Sequence, residues 1–123
     1  MPRTRSLALP ASVAAFLIGI TGCGDSSESG GSSDKPVVVH ITEQGGKIDP
    51  VGKVVEASTG QEIELLVTSD AKDEIHVHSD PEHEFEVAAG DQDKKFTFRV
   101  DVPGTIEVES HGLDVTILKL QVS

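Results

Sequence analysis

From Pro36 onward, apolar and polar residues alternate with a period of two, the signature of half-buried strands. Val37–Thr42, VVVHIT, is β-branched and is read as the first strand. Gly45-Gly46 and Asp49-Pro50 mark turns, and Val51–Ala57 is a further strand. Ser58-Thr59-Gly60 turns the chain into Gln61–Ser69, where Ile63, Leu65 and Val67 share one face. Glu74–His78 sets Ile75 and Val77 on one face, His76 and His78 on the other. Ser79-Asp80-Pro81 breaks that strand. Glu84–Ala88 then turns Phe85 and Val87 inward and Glu84 and Glu86 outward. Lys94–Val102 places Phe96, Phe98 and Val100 opposite Lys95, Thr97 and Arg99. Beyond Pro103-Gly104, Thr105–Glu109 points Ile106 and Val108 inward, and the loop Ser110–Leu113 leads to a last strand, Asp114–Val122. No segment of 36–123 sustains a helical period. Roughly seven to nine short strands predict an all-β sandwich of antiparallel strands around an inter-sheet core.

Ahead of this domain the pattern changes. Arg3 and Arg5 precede an apolar run, Leu7–Ile20, which has the length of a secretory signal core and is short for a membrane span. The run ends at Ile20-Thr21-Gly22-Cys23. This tetrad resembles the lipobox of bacterial lipoproteins, in which the Cys is lipidated and becomes the first residue. Gly24–Asp34, GDSSESGGSSD, carries no apolar residue and cannot order itself by burial. The expected organisation is a lipoprotein signal peptide over 1–22, a lipid-anchored flexible tether over 23–35 and one domain over 36–123. The chain is expected to cross the cytoplasmic membrane and to stay on its outer side through lipid on Cys23, two acyl chains making a stable anchor.

Composition narrows the function. Among 123 residues there is one Cys, so no intrachain disulfide forms. There is no Trp or Tyr and only four Phe, too few for a surface that stacks bases or sugars. The formal net charge of −11 repels phosphate backbones and excludes nucleic acid as a partner. Nothing marks an organic cofactor. There is no glycine-rich phosphate loop and no Cys nucleophile in the domain. Ser110, His111 and Asp114 make a hydrolytic triad only on paper, since neighbours on one loop project apart and no oxyanion hole is marked. The chain is therefore not expected to be an enzyme.

Three stretches, QEIELLVTSD, DEIHVH and PGTIEVESHGLDVTILKLQV, stand in an order similar to that of the cupredoxin-like domains of bacterial secreted proteins. The resemblance spans about Pro36–Ser123. It implies a Greek-key β-sandwich, a metal-ligand His in DEIHVH and a ligand loop at SHGLD. The blue-copper motif departs from the pattern. Ser110 stands where the thiolate Cys is expected, His111 is offset by one, no Met follows Met1, and Leu118 is apolar. The resemblance thus implies loss of the type 1 copper site. It is nearest to the thiolate-less domains of the kind attached to some iron-uptake lipoproteins.

The histidines remain the candidate chemistry. A His-x-His pair on a strand points two imidazoles to one face about 7 Å apart, within reach of one ion. The candidate ligands are His76, His78 and His111, with His83 returning from the Pro81 turn; Asp80, Glu82 or Glu84 would add a carboxylate or orient a ring. Imidazoles suit divalent copper or zinc. His40 is read as solvated or structural, and Asp91-Gln92-Asp93 as a solvated turn that lacks the acid order of a calcium loop. Two functions follow: a tethered metal-binding or delivery module, or a metal-free sandwich that serves as an interaction or structural domain for an unidentified protein partner. Convergence of at least three of the four histidines on one point would favour the first.

Overall fold

Each period-two run forms a strand. The computed structural model describes residues 35–123; the expected signal peptide, Cys23 and the expected tether as far as Asp34 lie outside the described residues. The strands are β1 (Val37–Gln44), β2 (Lys47–Asp49), β3 (Lys53–Ala57), β4 (Glu62–Ser69), β5 (Asp73–Val77), β6 (His83–Val87), β7 (Lys94–Arg99), β8 (Gly104–Ser110) and β9 (Val115–Val122). They build a four-stranded sheet, β2-β1-β4-β7, and a five-stranded sheet, β3-β9-β8-β5-β6. Among the described residues there is no helix.

β2 is the one strand that the alternation did not announce. It folds back on β1 through Gly45-Gly46, at φ 59° and 71°. Both central positions of such a two-residue hairpin need positive φ, which glycine adopts without steric cost.

The sandwich stands as expected, but its strands are not all antiparallel. Five ladders are antiparallel, while β1–β4 and β3–β9 run parallel. Between β1 and β4 the chain leaves for the facing sheet, forms β3 there and returns. A strand that comes back after such an excursion can join its neighbour in the same direction. A period of two reads the same in either direction, so the alternation carries no such information.

The core is the layer between the sheets. Ile41, Ile63, Leu65, Val67, Ile75, Val77, Val108, Ile117, Leu118 and Leu120 are all buried there. Full burial of each such side chain is worth about 1.5–3 kcal/mol. β9 breaks the alternation once: Val108 faces Leu118 and Glu109 faces Thr116, leaving Ile117 as the extra residue of a β-bulge. Ile117 and Leu118 are therefore both buried, and Thr116 returns to the outer face beside Glu109. The edge strands β6 and β7 meet across the open side of the sandwich, where the Phe85 and Phe96 rings stack with centroids 4.9 Å apart.

Candidate metal centre

β5 decides where the histidines go. Its inner face, Asp73, Ile75 and Val77, is buried. The outer face therefore carries Glu74 and His76, and His78 continues the row. The register adds the neighbours. His76 stands opposite Glu84 of β6 and Glu109 of β8, and Glu74 stands opposite Glu86. The outer face of the five-stranded sheet is thus a field of carboxylates with imidazoles at its middle. Lys119 answers one of them, 3.5 Å from Glu107.

The rings of His76 and His78 lie 4.3 Å apart at 33°. Glu82, from the loop between β5 and β6, brings Oε2 to 3.2 Å from His76 Nε2. One ligand atom each from His76, His78 and Glu82 falls within 4.8 Å of the others. An equilateral triangle of that side has its centre about 2.8 Å from each corner, so donors must close by about 0.7 Å to reach metal bonds near 2.0–2.1 Å. The His76–Glu82 pair needs no closing. Two donors 3.2 Å apart at bonds of that length subtend about 100°, close to a tetrahedral angle.

Each imidazole also has a second partner. His78 Nε2 lies 2.8 Å from Glu109 Oε2, and Thr116 Oγ1 donates to the other oxygen of that carboxylate. The His78 hydrogen bond holds the Glu109 carboxyl below the usual carboxylate range, burial opposing it more weakly and Thr116 adding a smaller pull. His76 Nδ1 lies 3.1 Å from His111 Nε2, and His111 Nδ1 lies 2.9 Å from Glu74 Oε1.

The sequence candidates are thus divided. His76 and His78 share the cluster. His111 reaches it, but on the far nitrogen of His76, so Glu82 takes the third place in the triad. His83 does not join. It pairs with Val77 in the β5–β6 ladder and so faces inward, where its ring lies 5.6 Å from that of Phe98 and stacks on Phe85 at 6.1 Å. The signal is present in the sequence: His83, Phe85 and Val87 share one parity, so the alternation that turns Phe85 and Val87 inward turns His83 inward too. Glu82 was visible only as one of several acids near the Pro81 turn. His40 is exposed on β1, 4.0 Å from Asp93. Asp91 caps its own turn, accepting from Ala88 N and pairing with Lys94 at 3.2 Å.

Ser110 is buried at 1 % exposure, and its Oγ donates to Asp73 Oδ2 at 2.5 Å. Asp73 Oδ1 accepts from Gly112 N at 2.5 Å and from Glu74 N at 2.7 Å. A Cβ on Gly112 would come within 2.6 Å of that same oxygen, so the close approach requires glycine. Among the described residues no buried side-chain polar atom lacks a partner.

No protein-family model and no curated protein matches the chain. Solved structures do. Amicyanin, in a copper(I) form of a single-site variant, superposes with a TM-score of 0.52 at 13% identity, over 74% of this chain and 85% of that one. The fold is cupredoxin-like. Auracyanin A, a blue copper protein of the green thermophilic photosynthetic bacterium Chloroflexus aurantiacus, superposes with a TM-score of 0.52 at 16% identity, over 72% of this chain and 100% of that one. At such identities the similarity is one of fold. Within this cupredoxin-like sandwich, residues 35–123 hold no Cys and no Met, and the Ser110 hydroxyl is committed to Asp73. Leu118 belongs to the core, with no exposed surface.

Proposed function

We propose that the chain is a lipid-anchored protein of the cell envelope whose cupredoxin-like domain binds a divalent metal, copper or zinc, through His76, His78 and Glu82. The observation that carries this is the approach of three donors to within 4.8 Å on one sheet face. Two imidazoles and a carboxylate suit Cu(II) and Zn(II) and lack the soft sulfur donors that select Cu(I). A type 1 copper site does not fit this chain: its one Cys is Cys23, ahead of the tether, and Ser110 offers a buried hydroxyl already engaged. Electron transfer of the blue-copper kind is therefore not part of the proposal, and neither is catalysis. Cys23 supplies the membrane attachment, and the acidic, aromatic-poor surface leaves nucleic acid out.

A metal-free role as an interaction module is the second reading. It draws on the carboxylates, since Glu109, Glu74 and Glu82 already satisfy the three rings. Calorimetric titration of the full chain with Cu(II) and Zn(II), beside a His76→Ala/His78→Ala variant, separates the two. One-to-one, sub-micromolar binding that the variant abolishes supports the site; weak binding of several ions, unchanged in the variant, supports the metal-free role. For the anchor, wild type should partition with membranes and Cys23→Ala with the soluble fraction. Equal partition of the two would remove the lipid from the proposal.

A further inference from the structure

His111 and Glu74 sit at the cluster without a place in its triad. They are nonetheless fixed with care. The turn that carries His111 is tied down from within the sandwich by the buried Asp73 carboxylate, through Ser110 on one side of His111 and Gly112 on the other. His111 N donates to the Glu74 carbonyl at 3.0 Å, which seals the turn against β5. Of the three clustered rings, His76 is the sheltered one: its side chain is 12% exposed, against 40% for His78 and 48% for His111.

The geometry points to His111 and Glu74 as a positioning arm that holds His76 for the metal, an inference that rests on the metal reading above. The two nitrogens of one imidazole point away from each other. An ion on the Nε2 side of His76, where Glu82 lies, is out of reach of His111, which lies on the Nδ1 side. With Nε2 given to the ion, the neutral ring keeps its proton on Nδ1 and donates it to His111 Nε2. His111 then carries its own proton on Nδ1 and donates to Glu74 Oε1. The chain Glu74–His111–His76 fixes one tautomer and one ring orientation, and it makes the ligand nitrogen more basic. His111 is thus a positioning residue and not a ligand.

The test is Cu(II) titration of the full chain as wild type, His111→Ala, His111→Gln and Glu74→Ala, with coordinated imidazoles counted by pulsed electron paramagnetic resonance. All four proteins should show two coordinated imidazoles. Affinity should fall about 10- to 100-fold in His111→Ala, recover in large part in His111→Gln, whose Oε1 can accept from His76 Nδ1–H, and fall by a smaller factor in Glu74→Ala. A count that drops from three to two in His111→Ala would make His111 a ligand and overturn the inference. Unchanged affinity in both His111 variants would overturn it too. Binding that survives loss of both His76 and His78 is a different failure, since it removes the metal reading itself.

Discussion

Replacing Asp73 with Ala should cost the domain a large part of its stability, and the cost can be worked from three hydrogen bonds. The carboxylate accepts from Ser110 Oγ, Gly112 N and Glu74 N. Ser110 is 1% exposed, so its hydroxyl finds no water when the acceptor goes. Gly112 lies on an exposed turn, where water recovers part of the loss. A stranded buried donor costs about 1–3 kcal/mol, and more where the lost partner was charged, which puts the variant about 3–4 kcal/mol below wild type. Small domains are stable by about 5–15 kcal/mol. At a urea slope of about 1–1.5 kcal/mol per molar, the midpoint should fall by about 2–4 M. The chain has no Trp or Tyr, so unfolding is best followed by far-ultraviolet circular dichroism. Adding Ser110→Ala removes the stranded hydroxyl. The double variant should then be more stable than the sum of the single losses predicts, by about 1 kcal/mol or more. A midpoint within about 0.5 M of wild type, or strictly additive losses, would refute the view that Asp73 holds this turn.

Glu43 gives the opposite kind of effect. It is 3% exposed and accepts from Ser69 Oγ at 2.9 Å. Burial pushes its carboxyl above the usual range, with the charges of Asp73 and Asp70 adding and the Ser69 hydrogen bond pulling back. The unfolded chain therefore ionises first, and stability falls as pH rises from about 4.3 through the folded value. Glu43→Gln should flatten that decline in a pH series of urea midpoints; parallel curves for the two proteins would contradict it. His83→Ala should lose about 1–2 kcal/mol from its packing on Phe85 and Phe98 and leave metal affinity untouched, and a weaker metal site in that variant would mean the ring reaches the outer face. Metal affinity should fall as pH drops, because protons compete with the ion for the imidazole nitrogens, so equal affinity at about pH 5 and pH 7 would speak against histidine ligands.

Alternation alone was enough to find eight of the strands and to place most side chains on the right face. Ile75 and Val77 inward means His76 and His78 outward, whatever the rest of the molecule does, because successive side chains on a strand point to opposite faces. The same rule turns His83 inward with Phe85 and Val87, since closeness in sequence to the His76–His78 pair says nothing about which face a side chain takes. The absence of a thiolate from the domain was also legible, since it needs only the position of Cys23. Other features belong to no local pattern. The parallel pairing of β1 with β4 depends on which sheet each strand joins. The bulge at Ile117 depends on the register of β8 against β9. The meeting of His111 with His76 spans 35 residues and depends on Asp73 gripping the turn beyond β8. Period and composition are properties of neighbours along the chain, and they determined the elements and their faces. Contacts between distant residues are set by how strands pack across a sheet and between sheets, so only the tertiary structure decided that two histidines and Glu82 share a site while a third histidine stands behind one of them.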